Sequence, residues 1–273
     1  MERKEKNFME TKRAKVIAIA NQKGGVGKTT TAVNLAAALS QNEYSVLAID
    51  LDAQGNLSAC FGIEADEQEE TIREIFLAET AEEELPADYG IIYNKSGVDI
   101  LPSNIKLADI EMQLITDFNR ERLLKSYLER ISENYDFIII DCSPSLSILT
   151  INALAAADKV IIPALPHHLS AIGLTQLMKT ILKVKRSLNR NLEIEGILLT
   201  QYSNRTNLAK NMKEEIESQY GNYTNVFSIT IPQCVKAAEA GLVGKSVIEY
   251  APNSSVAKAY TQFAELIGGT KNE

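Results

Sequence analysis

Tryptophan is absent from this sequence of 273 residues, which has only three cysteines and two histidines. Cys60, Cys142 and Cys234 are far apart and odd in number, so neither a disulfide framework nor a C-x-x-C metal site is predicted. His167 and His168 are adjacent, with no acid or cysteine nearby at the spacing of metal ligands. An ordinary loop is therefore favoured over a metal site at these histidines.

Long apolar runs are missing as well. No stretch approaches the roughly 18 residues of a membrane-spanning helix, and the charged residues Met1–Arg13 lack the apolar centre of a signal peptide. We therefore expect a cytoplasmic protein that does not enter a membrane. The length suits one large α/β domain. We predict a flexible N-terminal segment over residues 1–14 and a single domain over residues 15–273.

Apolar runs of strand length alternate with segments of helical periodicity along the chain. This alternation predicts an α/β fold with a doubly wound, mostly parallel sheet and helices on both faces. Residues 105–131 are predicted to be helical with a break near 117–119, where Asn119 is a candidate cap for a second helix. A loop is predicted at 53–56. Strands are predicted at 15–20, 45–49, 98–102, 135–141, 159–163, 195–200 and 226–231, and further helices at 29–39, 71–77, 146–157, 170–188, 205–220, 235–240 and 255–267.

One stretch combines a strand, a glycine-rich loop and a helix. The apolar residues 15–20 are followed by Asn21-Gln22-Lys23-Gly24-Gly25-Val26-Gly27-Lys28-Thr29-Thr30, and then by a segment rich in Ala and Leu. This order is typical of a phosphate-binding loop, in which glycines let backbone N–H groups point at an anion. Lys28 is predicted to contact the β- and γ-phosphates, and the Thr29 hydroxyl to bind Mg²⁺.

Two further apolar runs end in acids. Ligands of such sheets bind at the carboxyl ends of the strands, so Asp50, Asp52 and Asp141 are expected near the glycine loop. Asp141 is predicted to hold Mg²⁺ through water beside Thr29, with a helix cap as the alternative. Asp52 is a candidate for positioning the attacking water and for the metal site. For Asp50, a loop anchor, a place in the metal shell and a strand-end cap all remain open.

The net charge of −8 is unevenly distributed. Residues 1–150 contain 15 Lys and Arg against 26 Asp and Glu, whereas residues 151–273 contain 13 against 10. A basic face that binds nucleic acid and ordinary solvated helix faces are both compatible with this distribution. The basic residues of the second half cluster at Lys179, Lys183, Lys185, Arg186, Arg190, Arg205, Lys210 and Lys213.

Several motifs resemble those of the ParA/Soj family of partition ATPases, a deviant Walker A group within the SIMIBI class of P-loop NTPases. The glycine loop has Gln22 where the general pattern has glycine, and a second lysine, Lys23, at its entrance. Residues 50–56, Asp-Leu-Asp-Ala-Gln-Gly-Asn, match the family's switch I motif. Residues 141–146, Asp-Cys-Ser-Pro-Ser-Leu, resemble its switch II, with a serine replacing the first proline. The resemblance runs from about residue 15 to residue 267.

The resemblance implies an ATP hydrolase that binds ATP or ADP with Mg²⁺ and forms a homodimer with ATP. In the family the second lysine reaches across the dimer interface to the partner's nucleotide, a role that falls on Lys23. The second acid of switch I is the hydrolytic residue, here Asp52, so Asp52, Lys23 and Lys28 are the expected catalytic residues. Intrinsic turnover is expected to be slow, roughly 10⁻² s⁻¹ or below, and to be stimulated by a partner.

The resemblance also implies contacts with DNA and with the base. The arginine of the family's Arg-Thr-Asn-Leu segment contacts DNA in Soj-type members, and it falls on Arg205. The family's Ile-Pro-Arg-Asn-Val-Arg is replaced here by Ile-Pro-Gln-Cys-Val-Lys at 231–236, so Gln233 and Lys236 stand where arginines are usual. Lysine lacks the planar fork of arginine. Lys236 is still expected at the DNA, while Pro232 and Gln233 are candidate contacts of the adenine.

The favoured hypothesis is an ATP-dependent DNA-partitioning ATPase in plasmid or chromosome segregation. Its ATP-bound dimer would bind non-specific DNA, associate with the nucleoid, and be released when a ParB-type centromere-binding protein stimulates hydrolysis. One alternative is a MinD-like or cargo-positioning ATPase that acts on membranes or protein partners. Gln233 and the net acidity favour it, but residues 255–273 lack the basic amphipathic tail of MinD. A metabolic kinase or ligase, as among dethiobiotin synthetase relatives, is a third class.

Overall fold

The computed structural model describes residues 13–166, 170–203 and 207–269. Most of the predicted flexible segment and both adjacent histidines lie outside these ranges. The described strands, in chain order, are β1 (Lys15–Ile19), β2 (Val46–Leu51), β3 (Ile92–Tyr93), β4 (Val98–Leu101), β5 (Phe137–Cys142), β6 (Lys159–Ala164) and β7 (Glu193–Leu199).

The strands form one sheet in the order β3-β4-β2-β5-β1-β6-β7. Every neighbouring pair is parallel except β3 with β4. Strands β2 and β5 are buried along their whole length, as expected for parallel strands covered on both faces. The chain leaves β1 towards β2 on one side, and β6 and β7 lie on the other, so the strand order reverses beside β1.

The helices of the described ranges connect and cover these strands. None of them is long and apolar enough to cross a membrane. Their N-termini include a capping box before α3, in which the Thr71 hydroxyl accepts a hydrogen bond from the Arg73 N–H, and Glu74 accepts from the Thr71 N–H. The helices are α1 (Lys28–Gln41), α2 (Asn56–Cys60), α3 (Ile72–Ala81), α4 (Ile110–Gln113), α5 (Leu123–Ile131), α6 (Ile148–Ala156), α7 (Ser170–Ser187), α8 (Asn207–Tyr220), α9 (Val235–Leu242), α10 (Val247–Tyr250) and α11 (Ser255–Gly268).

Alternate residues of each strand point to opposite faces of the sheet, which produces two apolar cores. Val16 and Ala18 of β1 pack in one core, with residues of α3, α5, α6 and α7. Ile17 and Ile19 pack in the other, with residues of α1, α9, α10 and α11. Helices therefore cover both faces, and the predicted doubly wound, mostly parallel sheet is confirmed.

The predicted strand at 226–231 is wrong. This segment runs beside β7 but makes only isolated bridges, Val226 with Ile197 and Pro232 with Tyr202. Backbone hydrogen bonds link Phe227 to Ile197 and Ile231 to Leu199, without a continuous ladder between them. The sequence gives an apolar run, but apolarity alone does not determine whether an edge segment pairs along its length.

Three other regions differ from the prediction. Residues 105–131 are not two long helices: 3₁₀ turns at Ile105–Asp109 and Leu114–Thr116 flank the four-residue α4, and α5 follows separately. Asn119 does not cap α5, whose N-cap is Arg122. The predicted loop at 53–56 ends in the short helix α2, and the antiparallel edge strand β3 was not predicted. Such short elements carry too few residues for a periodic signal.

Replacing Phe263 of α11 tests the second core. Phe263 is fully buried, and its ring packs edge-on against Phe227 with centroids 4.9 Å apart. We expect Phe263→Ala to lower the free energy of unfolding by about 3–5 kcal/mol through lost burial and a cavity, measured by urea denaturation. Leu266→Ala on the exposed face of the same helix should change it by less than about 0.5 kcal/mol. Equal losses in both variants would contradict this packing.

Candidate functional site

The glycine loop and the strand-end acids meet at the carboxyl edge of the sheet. Strand β5 lies between β1 and β2, and the register pairs Asp141 with Ile19 on one side and with Asp50 on the other. The glycine loop follows β1, and Asp52 follows β2 directly. The topology therefore brings the loop, Asp50, Asp52 and Asp141 to one end of the sheet.

The loop between β1 and α1 depends on two glycines with left-handed backbone. Gly25 has φ +72° and Gly27 has φ +81°, conformations that cost other residues free energy. Helix α1 begins at Lys28 without a side-chain cap and without an acid in its first turn. Its first N–H groups and the positive end of its dipole therefore face the loop and favour an anion.

Lys28 is the buried cation of the site. It is only 7% exposed, and its ammonium donates a hydrogen bond to the carbonyl oxygen of Lys23, 3.2 Å away. Burial lowers the pKa of Lys28, although the nearby carboxyl groups of Asp141 and Asp52 oppose that shift. A phosphate group in the loop would supply a much closer negative charge and favour the ammonium form.

Asp141 is the buried acid of the site. Neither of its carboxylate oxygens has a hydrogen-bond partner among the described residues. Burial raises the pKa of Asp141 well above its usual range, and Asp50 adds to the shift. The Thr29 hydroxyl and the Lys28 ammonium act in the opposite direction, but neither makes a direct hydrogen bond to the carboxylate in this structure.

The environment of Asp141 would suit a magnesium ion bound together with a nucleotide. Buried polar atoms are rarely left without a partner unless a ligand or water completes them. Mg²⁺ commonly uses one or two protein oxygens and takes its other ligands from water and substrate phosphates. Within the described ranges no cluster of three or more His, Cys, Asp or Glu side chains could hold a metal unaided. Thr29 and Asp141 therefore suit a nucleotide-bound Mg²⁺ better than a structural metal.

Asp50 anchors the segment that follows β2. One of its oxygens accepts hydrogen bonds from the Ser58 N–H and hydroxyl, at 2.9 Å and 2.8 Å. The other accepts from the Asp52 N–H at 3.2 Å. Burial raises the pKa of Asp50 to about 6, and these hydrogen bonds limit the shift. Of the three roles left open by the sequence, the loop anchor is the one that these contacts support.

Asp52 is the accessible acid of the site. It is half-buried, and its Oδ1 accepts a hydrogen bond from the Gln54 N–H at 3.1 Å. Its Oδ2 accepts none from the described residues. Gly55 keeps the turn tight, since its φ is +63° and a Cβ there would lie 2.9 Å from the Ala65 Cβ. Asp52 therefore has a free oxygen on a turn of fixed shape.

Amide side chains hold the entrance of the loop. Asn21 donates through Nδ2 to the carbonyl oxygen of Pro163 in β6 at 2.7 Å, and its Oδ1 accepts from the Lys23 N–H at 3.0 Å. Gln22 donates through Nε2 to the carbonyl oxygen of Gly173 in α7 at 2.7 Å. The ammonium of Lys23 makes no ion pair or hydrogen bond within the described ranges, and the residue is half-exposed.

A cavity of about 380 Å³ opens beside the loop. Both residues predicted to contact the base, Pro232 and Gln233, line it together with Gly27 and Thr30 of the loop and its helix. Its remaining lining is Thr200, Gln201, Ile231, Cys234, Val235, Ala237, Ala238, Val256 and Tyr260. A larger cavity, about 600 Å³, lies between α3 and α5 and contains none of the predicted site residues.

Two residues at the end of β7 contact the loop and were not predicted. The Thr200 hydroxyl donates to the carbonyl oxygen of Val26 at 2.7 Å, and Gln201 donates through Nε2 to that of Gly25 at 3.0 Å. Both also line the cavity. In the sequence, the one feature that points to these two residues is that they follow an apolar strand, as the predicted acids of the site also do.

The residues predicted to bind DNA are less well defined. Arg205 lies outside the described residues. Lys236 is exposed, forms an ion pair with Glu239 at 2.7 Å, and lies 5.7 Å from the ring centroid of Tyr250. On α7, by contrast, three basic residues are exposed on one face at helical spacing. They are Lys179, Lys183 and Arg186, and none of them makes an ion pair within the described ranges.

Comparison with known sequences identifies related proteins along nearly the whole chain. Residues 14–194 match a family model described as an AAA domain. The chain is 42% identical over 256 residues to the sporulation initiation inhibitor protein Soj of Bacillus subtilis, covering 93% of this chain and 98% of that protein. It is 38% identical over 255 residues to the chromosome partitioning protein ParA of Caulobacter vibrioides, covering 93% of each.

Solved structures show the same fold. A cobyrinic acid a,c-diamide synthase from Mycobacterium smegmatis, with bound ADP and magnesium, has a TM-score of 0.80 and 33% identity, covering 93% of this chain and 94% of that chain. A plasmid partition protein from Borrelia burgdorferi has a TM-score of 0.72 and 27% identity, covering 94% and 98%. The fold is therefore shared by a metabolic synthase and a plasmid partition protein.

Replacing Asp141 by asparagine tests whether this buried carboxyl group destabilises the nucleotide-free protein. A raised pKa in the folded state means that the native protein binds more protons than the unfolded chain above about pH 4, so ionisation of Asp141 destabilises the native state as pH rises. We expect nucleotide-free Asp141→Asn to be more stable than the wild type at pH 7, with the difference vanishing towards pH 4. Chemical denaturation at several pH values measures this. A variant less stable at pH 7 would contradict it.

Proposed function

The chain belongs to the AAA domain family and to its ParA/Soj group, and from this we propose that it is an ATP-dependent DNA-partitioning ATPase in plasmid or chromosome segregation. The observation that carries the proposal is the pair Lys28 and Asp141, both buried beside a glycine loop and neither in a direct ion pair with any residue that the structure describes. A nucleotide with Mg²⁺ would supply a phosphate as the counterion of Lys28 and a metal ion as the counterion of Asp141.

In this proposal, ATP or ADP lies along the loop from Lys23 to Thr30, with its base in the cavity lined by Pro232 and Gln233. Backbone N–H groups and Lys28 bind the phosphates. Thr29 and Asp141 hold Mg²⁺, with Asp52 close to it. Bound Mg²⁺ supplies charge neutralisation at the phosphate oxygens. The positive end of α1 supports the same charge distribution from the protein side.

Asp52 is the proposed catalytic acid for hydrolysis. Transfer of the γ-phosphoryl group to water requires a residue that orients the water in line with the leaving group. Asp50 is unsuited because both of its oxygens are engaged by Ser58 and the Asp52 N–H. Asp52 has an oxygen free of described hydrogen bonds and is near enough to Lys28 to influence its pKa. It is therefore placed to accept a hydrogen bond from that water.

Lys23 is proposed to act in a second copy of the chain. Its N–H is bound to Asn21 and its carbonyl oxygen to Lys28, so its backbone is fixed as part of the loop. Its side chain makes no described contact within the subunit. A homodimer formed with ATP, in which each Lys23 reaches the nucleotide of the other subunit, uses this unengaged cation.

DNA binding is proposed to involve the basic face of α7 in addition to Arg205 and Lys236. A row of cations that form no ion pair with described residues can bind phosphates regardless of sequence, whereas a phosphate must compete with Glu239 to reach Lys236. Release by a ParB-type partner that stimulates hydrolysis completes the cycle, which would place the protein on the nucleoid in the cytoplasm. The names of the relatives, Soj and ParA, support this class of function.

One other function is favoured by a specific observation. The likeness to a cobyrinic acid a,c-diamide synthase at 33% identity supports a metabolic enzyme that uses the same loop. Such an enzyme would hydrolyse ATP only with a small-molecule acceptor, and DNA or a partner protein would leave its turnover unchanged. A MinD-like function would instead be indicated by ATP-dependent flotation with liposomes.

Alanine substitutions of the two loop lysines should have different effects. Lys28→Ala should abolish nucleotide binding because it removes the buried cation that contacts phosphate. Lys23→Ala should retain binding to the monomer and lose ATP-dependent dimerisation. Calorimetry measures the first, and sedimentation with and without ATP the second. Lys106→Ala, on a 3₁₀ turn outside the site, is the control. Dimerisation of Lys23→Ala with ATP equal to that of wild type would reject the proposed role of Lys23.

DNA binding should require ATP and depend steeply on salt. Asp52→Ala, which binds ATP but should not hydrolyse it, is expected to remain on duplex DNA of arbitrary sequence. Lys183→Ala should weaken that binding and reduce the slope of log affinity against log salt by about one. Lys258→Ala, exposed on α11, should leave the slope unchanged. Fluorescence anisotropy measures both. Binding that ignores nucleotide, or no binding by Asp52→Ala with ATP, would reject the proposal.

A further inference from the structure

Gln201 lies where the end of β7 meets both the glycine loop and the cavity. Its amide nitrogen donates to the carbonyl oxygen of Gly25 at 3.0 Å, and the residue lines the cavity beside Gly27, Thr30 and Pro232. Its backbone has φ +49°, a left-handed conformation that few residues other than glycine adopt. Such strain persists where the surrounding structure fixes the residue, and it is common at ligand sites.

The hydrogen bond to Gly25 fixes the orientation of the Gln201 amide. A carbonyl oxygen can only accept, so the NH₂ group must point to it and cannot exchange places with the amide oxygen. The oxygen Oε1 then remains as an acceptor with no partner among the described residues. Gln233, the other glutamine at the cavity, has no described side-chain hydrogen bond, so its amide can turn to present either group.

Two other polar side chains at the cavity have partners within the protein: the Thr200 hydroxyl donates to Val26, and the Tyr260 hydroxyl is bonded to that of Thr31. The Thr30 hydroxyl and the Gln233 amide have no described side-chain hydrogen bond and can turn. Gln201 therefore differs from them in bringing an acceptor oxygen whose orientation is fixed by its own amide nitrogen. Adenine presents an amino group at its sixth position, which donates, whereas guanine presents an oxygen, which accepts. A fixed acceptor pairs with the first and repels the second.

We propose that Gln201 is the specificity-determining residue for the base, selecting adenine over guanine through Oε1 while its NH₂ group is held by the glycine loop. This inference rests on the proposed nucleotide site and adds the residue that chooses the nucleotide. It also links base recognition to the loop, because the contact that orients the amide is made to a loop carbonyl.

The test is the ratio of affinities for ADP and GDP, measured by calorimetry with Mg²⁺ on the full chain. Both ligands carry the same phosphates, so damage to the loop weakens both and leaves the ratio unchanged. Gln201→Met removes the acceptor, and we expect the ADP-to-GDP affinity ratio to fall by about threefold to tenfold, the equivalent of one hydrogen bond. Gln201→Glu keeps acceptor oxygens but cannot donate to the Gly25 carbonyl oxygen, so its acceptor is no longer fixed, and we expect the ratio to fall in this variant as well.

Gln113→Met, the same substitution on exposed α4, is the matched control and should leave both affinities unchanged. Two results would overturn the inference: an unaltered ratio in Gln201→Met, or wild-type protein that binds ADP and GDP equally. Failure of the wild type to bind either nucleotide would instead reject the proposed function itself, so the two failures are distinguishable.

Discussion

Lys28 and Asp141 are buried without a direct ion pair to any described residue, and the rest of the site depends on this constraint. Desolvation lowers the pKa of the lysine and raises that of the acid, so burial disfavours the charged form of each group. The opposite charges of a magnesium nucleotide favour the charged forms, so nucleotide binding is expected to move both pKa values back towards their usual range. The local electrostatics of the site therefore depend on whether a nucleotide is bound.

Neutral groups hold the loop around these ionisable ones. Asn21 ties the loop to β6, Gln22 ties it to α7, and Thr200 ties it to the end of β7. Amides and hydroxyls can fix backbone carbonyls without adding charge, so they do not compensate Lys28 or Asp141 in advance. Charged anchors in the same positions would partly compensate Lys28 and Asp141. Phosphate and Mg²⁺ would then gain less electrostatic free energy on binding.

The sequence predicts those features that depend on local pattern. Buried parallel strands are continuous apolar runs, so β1, β2 and β5 could be predicted, together with the loop and the acids at their ends. The role of Asp50 could not, because it depends on Ser58 in α2. Gln201 was also missed, since its contact with Gly25 joins residues far apart in the chain. The strand predicted at 226–231 was wrong for a similar reason, because its formation depends on pairing along the edge strand β7.

The bond from Gln22 to Gly173 joins the loop to the helix that carries the exposed basic face. Gly173 lies near the beginning of α7, and Lys179 and Lys183 follow on the same continuous helix. Gln22 therefore connects the loop entrance to the helix that carries the basic face, whereas Lys236 lies on a different helix and is paired with Glu239.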